Sequence, residues 1–198
     1  MTARKVRAGL VSLALAVWLA APAGLALASI EEPTLDEAVG WMKQAIQENN
    51  DPMRNRMYFR LRLIEQDNKG TVAPALLPLL DDPQDNVAEY AAYVLGWIED
   101  PKAIDPLMKM LKSGKEGRIR HATRALGFMR AMQAKDALVG LLQDPSPRIR
   151  QDAAFALGQL EDRSVLPVLQ KFLETEKDEV VRHFTQEAIT WVNRYAQK

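Results

Sequence analysis

The sequence predicts an all-α fold, a right-handed superhelix (α-solenoid) of about five antiparallel helix pairs, and three observations carry that prediction. Gly96, Gly127 and Gly158 recur at an interval of 31 residues, each inside a small-apolar phrase: YAAYVLGWIED (90–100), HATRALGFMRA (121–131) and DAAFALGQLED (152–162). A second phrase alternates with the first, as LLPLLDD (76–82), LMKMLKS (107–113), LVGLLQD (138–144) and, less cleanly, VLQKFLE (168–174). Its leucines stand three and four residues apart, the period of a helix. Turn signals separate the phrases, Asp82-Pro83, Ser113-Gly114 and Asp144-Pro145 on one side, Asp100-Pro101 and Asp162 on the other. A period near thirty that holds two helices is the mark of stacked repeats, in which neighbours bury each other's apolar faces.

Taken in order, the first helices of the pairs (A) are expected near 34–49, 72–81, 102–113, 134–143 and 164–175. Their partners (B) are expected near 53–66, 85–98, 117–130, 147–160 and 178–195. The repeats thus run near 34–66, 72–98, 102–130, 134–160 and 164–195, in a single repeat domain over 29–198. No segment alternates with period two for long enough to make a strand. The end repeats are irregular, as expected of units that cap a stack. The three glycines of the B phrases are read as points where neighbouring helices approach closely, not as a nucleotide-binding loop.

Residues 1–28 have the layout of an export signal: a basic head (Arg4, Lys5, Arg7), an apolar run from Ala8 to Ala21, and Ala26-Leu27-Ala28 as a small-residue cleavage site. Cleavage after Ala28 would deliver an exported chain, periplasmic in a Gram-negative cell. The competing reading is an anchor in the inner membrane, since residues 8–30 are uncharged and long enough to span a bilayer. The membrane is a partner only in that second case. With no cysteine in the chain, neither a lipid anchor on cysteine nor disulfides are expected. The 26 basic residues lose three with the leader and the 26 acidic residues lose none, leaving a net charge of −3. That balance offers no electrostatic reason to bind nucleic acid.

At DPSPRIRQDAAFALGQLED (144–162) the chain resembles the short HEAT repeats also called phycobilisome-lyase-type HEAT-like repeats, whose pattern is an Asp-Pro turn, Val-Arg, then Ala-Ala-x-Ala-Leu-Gly. The resemblance is strong over about 72–160 and weaker at 34–66 and 164–195. It implies that the Arg after the turn, here Arg150 and by alignment Arg182, is structural and pairs with turn acids. Ala88 and Ile119 fill that slot in two repeats, which leaves Arg118 or Arg120 as the substitute. Two HEAT-like enzyme groups are similar as well. Bilin lyases attach tetrapyrroles to antenna proteins inside the cell. The iron-dependent hydroxylases of hypusine synthesis hold metal with His-Glu pairs, a dipeptide this sequence lacks.

His121 and His183 are the only histidines, two repeats apart along a solenoid, whereas a metal site needs three or four converging ligands. Neither a Ser-His-Asp arrangement that spacing can identify nor a Gly-rich phosphate loop is present. No cofactor, metal or catalytic residue is therefore expected. The Arg54, Arg56, Arg60, Arg62 cluster of MRNRMYFRLRL (53–63) reads as a solvated face, with an anionic docking patch as its alternative.

A wheel of 100° per residue places Ile149, Ala153, Ala156, Leu157 and Leu160 on the buried stripe of the 147–160 helix. Gln151, Asp152, Phe155 and Gln159 fall opposite. Transferred by the glycine register, that outward face holds Glu89, Tyr90, Tyr93 and Trp97 in the second repeat and Arg120, His121, Arg124 and Phe128 in the third. The end repeats extend it with Arg56, Phe59 and Leu63, and with His183, Phe184, Glu187 and Trp191. In solenoids of the resembled family the B helices line the concave side, so these residues form a groove of aromatics mixed with Arg and Glu. Exposed rings of this kind mark interaction sites, unless they stack on neighbouring B helices for stability alone.

The expectation is a non-catalytic binding module, a scaffold or adaptor in protein–protein interaction. Tyr90, Tyr93, Trp97, Phe128, Phe155 and Trp191 provide its surface, and Arg120 and Arg124 provide charge selection. A protein segment is the expected partner, with a glycan as the other ligand that stacks on rings. The rival readings are a structural spacer or an enzyme or chaperone-like factor related to the HEAT-like lyases, and the sequence names neither partner nor oligomeric state.

Overall fold

The structure is a computed structural model that describes residues 32–196, and those residues contain ten α-helices, four 3-10 helices and no strand. The chain divides at Arg60/Leu61 into two compact units. The export signal expected over residues 1–28 lies outside the described residues. Among those described, no helix is long and apolar enough to cross a membrane.

The first unit holds α1 (Leu35–Gln47) and the start of α2 (Asp51–Asp67). Thr34 caps α1 with a reciprocal pair: its hydroxyl accepts from the Glu37 N–H, while the Glu37 carboxylate accepts from the Thr34 N–H at 3.0 Å. Both bonds satisfy amides that a helix start leaves without partners. Asn49, with φ of 52°, breaks the helix, and Asn50 restarts it by accepting from the Met53 N–H at 3.1 Å. Ala38, Met42, Ala45, Ile46, Met53 and Met57 are buried.

In the second unit, α2 ends with Glu65 accepting from the Val72 N–H at 3.0 Å, which ties it to α3 (Val72–Leu76). The later helices alternate short and long: α4 (Asp85–Ile98), α5 (Ile104–Met110), α6 (Glu116–Phe128), α7 (Lys135–Leu141), α8 (Pro147–Gln159), α9 (Leu166–Thr175) and α10 (Glu179–Tyr195). The long ones are the B helices, and they lie side by side in chain order, α4 on α6, α6 on α8, α8 on α10. This is the α-solenoid that the 31-residue period predicts.

From the second repeat on the A helices are shorter than expected, because one end of each is wound as a 3-10 turn: 77–81 after α3, then 101–103, 132–134 and 163–165 before α5, α7 and α9. Local chemistry favours the tight winding. Asp100 accepts from the Lys102 N–H and Asp162 from the Ser164 N–H, both at 2.9 Å, so each carboxylate satisfies an early amide while Pro101 lacks one.

Glycine sets the distance between B helices. A Cβ on Gly96 would stand 2.7 Å from the Cα of Ala125, one on Gly127 2.7 Å from that of Ala156, and one on Gly158 2.9 Å from that of Ala188. No real methyl fits there, so the period of 31 is the period of helix contact. Arginine ties the turns. Arg150 donates to the carbonyls of Asp144 and Pro145 and to both oxygens of Glu176 in the next repeat. Arg182 donates to the carbonyls of Leu173 and Glu176. Where that slot is Ile119, Arg118 substitutes, reaching the carbonyls of Leu80 and Asp82 and the carboxylate of Asp85.

Candidate functional site

Five of the rings singled out on the B helices meet in the second unit. Tyr90, Tyr93 and Trp97 follow one another along α4, with ring centres 5.7 and 6.3 Å apart. Trp97 then stacks on Phe128 of α6, with centres 4.8 Å apart and planes 27° from parallel. Phe128 meets Phe155 of α8 edge to face at 5.6 Å. Five rings from three successive repeats thus form an unbroken ladder, with the two contacts between helices made where the B helices pass closest. The rings are neither core nor free: Tyr93 and Trp97 are 37% and 38% exposed, and Tyr90, Phe128 and Phe155 are half-buried. Stacking between neighbours and an open outer edge coexist in the same side chains.

Trp191 does not touch that ladder ring to ring. It pairs with Tyr195, centres 4.4 Å apart, and both help line a groove of about 430 Å³ between α8 and α10. Phe155 lines the other side, so the groove begins where the ladder ends; Phe184, His183, Glu187 and Arg194 complete it. Tyr195 and Arg194 were absent from the sequence reading. Their signal was available, since Tyr195 stands one helical turn beyond Trp191.

The charged residues behave differently from the rings. Asp152, expected on the outward face, is buried, and its side chain is only 4% exposed. Arg120 Nε donates to its Oδ2 at 2.7 Å, which makes this burial possible, and Arg124 Nε stands 4.0 Å from its Oδ1. Burial pushes the Asp152 carboxyl above its ordinary value, and the pull of Arg120 and Arg124 in the other direction does not cancel it. Arg120 is thus committed to the fold, and Arg124 lies at the edge of Phe155, with its guanidinium carbon 6.0 Å from the ring centre. His121 is held to the Gly117 carbonyl at 2.8 Å and faces Glu89 at 3.9 Å.

Among the described residues, no group of three or more His, Asp or Glu converges as a metal site would require. The described residues do not supply the donor set of an iron hydroxylase. Arg54, Arg56, Phe59 and Leu63 all fall on α2, where Arg54 pairs with Asp51 at 2.8 Å and Phe59 and Leu63 are exposed.

The family model of HEAT repeats matches residues 40–127 and 115–190. The chain belongs to the HEAT-repeat family. Deoxyhypusine hydroxylase of Candida albicans is 33% identical over 124 residues, covering 61% of this chain and 38% of that protein. Phycocyanobilin lyase subunit alpha of Picosynechococcus sp. is 32% identical over 93 residues, covering 42% of this chain and 35% of that one. This HEAT-repeat chain therefore spans well under two thirds of the length of either relative. Among solved structures, the complex of CpcE and CpcF of phycocyanin lyase from Nostoc sp. matches with a TM-score of 0.67 at 21% identity, over 76% of this chain and 97% of that chain, a likeness of fold alone.

These relatives overturn the expectation of a protein outside catalysis, because a hydroxylase and a lyase subunit stand among them. The expectation rested on the lack of a recognisable triad or His-Glu pair in the sequence. In a solenoid, side chains converge from different repeats, so spacing along the chain is a poor guide to what meets in space.

Proposed function

We propose that this HEAT-repeat chain is a lyase-related component of a protein-modifying enzyme, and that it holds a segment of a protein along the ladder Tyr90–Tyr93–Trp97–Phe128–Phe155. One observation carries the reading: rings from three repeats are in continuous contact while Tyr93 and Trp97 among them stay partly exposed. A long, open surface suits a polypeptide, whereas a small molecule needs enclosure. Trp and Tyr are the residue types that anchor such contacts. The kinship with a phycocyanobilin lyase subunit, and the fold shared with a lyase complex of two chains, support a place beside other proteins. The groove past Phe155, with Trp191 and Tyr195, would receive the end of the bound segment.

The test is crosslinking in the native cell. A photoreactive residue replacing Phe128 or Phe155 should yield a protein adduct, and one replacing the exposed Asp136 on α7 should not. Titration of the captured protein should then weaken at least about tenfold with Trp97→Ala or Phe128→Ala, since an anchor contributes about 2 kcal/mol. Helical content should be unchanged. Adducts from Asp136 alone, or unchanged affinity in both ring variants, would remove the surface from consideration. The export leader belongs to the same proposal and has its own check: N-terminal sequencing of the exported chain should begin at Ser29.

A further inference from the structure

Beside the middle of the ladder, two cations share one anion. Arg120 and Arg124 both lie against the Asp152 carboxylate, one to each oxygen, so the cluster carries an excess positive charge. Its anion is inside and its cation outside: the Asp152 side chain is 4% exposed and that of Arg124 is 51% exposed. Among the described residues the Arg124 guanidinium makes no hydrogen bond, because 4.0 Å to Asp152 is beyond that reach. Its donors stand next to the Phe155 ring. The other charge on this stretch of the face, Glu89, stands 3.9 Å from His121, and the flanking Gln151 and Gln159 are neutral.

We infer that the segment held on the ladder is acidic, presenting a carboxylate side chain to Arg124 with apolar side chains on either flank, against Trp97 and Phe128 on one and Phe155 on the other. The inference rests on the ladder being the docking face. A neutral segment would cover Arg124 and strip its water without replacing it, which is costly for an ion. A basic segment would bring a third cation to the pair already there. A carboxylate meets a guanidinium with two parallel hydrogen bonds, which fixes its position along the ladder as well as its sign.

The probe is a library of random peptides displayed on phage and selected on the full chain. Enriched peptides should carry Asp or Glu between apolar residues. Their affinity should fall roughly tenfold with Arg124→Gln at low ionic strength, and by less at high salt, where screening shortens the reach of the charge. Selection on Arg124→Glu should return basic peptides instead. Peptides that need Trp97 and Phe128 but show no acidic enrichment, or ignore Arg124→Gln, overturn the inference and leave the docking face standing. Peptides indifferent to both rings, or no enrichment at all, overturn the docking face and the inference with it.

Discussion

The Arg150 guanidinium grips the Glu176 carboxylate with two hydrogen bonds, Nε to Oε2 at 2.7 Å and Nη2 to Oε1 at 3.0 Å, joining one repeat to the next. Arg150 holds the Glu176 carboxyl below the ordinary glutamate value of 4.5, burial opposes it without cancelling it, and the N–H groups of Asp178 and Lys177 assist the arginine. A carboxylate with a lowered folded pKa contributes stability that is complete above its unfolded value and is lost as pH falls through the folded one. Glu176→Gln should therefore destabilise the chain at pH 7 by about 1–3 kcal/mol, as loss of hydrogen bonds to a charged group does. The gap to the parent should narrow below about pH 4. Thermal denaturation over a pH series measures it, and a gap that is the same at both ends of the series would contradict the assignment.

Asp152 runs the other way. Burial raises its carboxyl above 3.8, so its contribution is complete below that value and is lost as pH rises through the higher folded one. Once ionised, Asp152 is a burden that Arg120 only partly offsets. Asp152→Asn should cost less at pH 7 than Glu176→Gln, by the same denaturation series. The reverse order would show that Arg120 outweighs the burial.

Two glycine substitutions should have opposite signs. Gly127→Ala places a methyl 2.7 Å from the Ala156 backbone, which cannot yield without parting α6 from α8. The expected cost is about 1–3 kcal/mol, as for other overpacked sites. Gly140→Ala on α7 meets nothing within 4 Å and should gain up to about 1 kcal/mol from helix propensity and a stiffer unfolded chain. Urea midpoints of the two variants, falling on opposite sides of the parent, are the readout.

Leu157 and Phe155 stand two residues apart on α8 and face different worlds. Leu157 is fully buried, so Leu157→Ala should cost about 2–5 kcal/mol. Phe155 touches Phe128 and the groove while half-buried, and Phe155→Ala should cost clearly less. Equal losses in urea denaturation would mean that the ring serves the core.

Arg118 clasps three acceptors: the carboxylate of Asp85 at 2.7 Å and the carbonyls of Asp82 at 2.6 Å and Leu80 at 3.3 Å. Lysine carries the charge without the planar fork that spans them. Arg118→Lys should therefore lose stability nearly as Arg118→Ala does, about 1.5–3 kcal/mol for contacts of this kind. A lysine variant that melts with the parent would reduce the clasp to a matter of charge alone.

Much of this architecture was legible in advance because the repeat speaks the same way several times. A glycine every 31 residues means a contact every repeat, and the meeting of Gly127 with Ala156 is that statement in space. The rings were placed by one helical wheel, and the five from Tyr90 to Phe155 touch in succession, while Trp191 stands apart with Tyr195. Asp152 was misplaced because a wheel describes a helix alone, whereas the partner that lets Asp152 go inside, Arg120, belongs to the preceding repeat. The 3-10 winding at 101–103 was hidden for a similar reason: Asp100-Pro101 marks a turn, but three-residue and four-residue winding give nearly the same leucine spacing. Tyr195 went unremarked because the last repeat departs from the phrase that identifies the others. Kinship with enzymes left no trace in the His or Glu pattern at all.

The bonds between repeats also set how this chain can come into being. Lys115 to Asp85, Arg120 to Asp152, Arg130 to Glu161 and Arg150 to Glu176 close loops of 30, 32, 31 and 26 residues, each reaching only the adjacent repeat. No contact of this set waits for distant ends to find each other, so the entropy of loop closure stays small and folding can nucleate at any pair and spread along the stack. A gene that duplicates one such segment in register adds a rung without disturbing its neighbours. Binding length then becomes a quantity that evolution, or a designer, can change by counting.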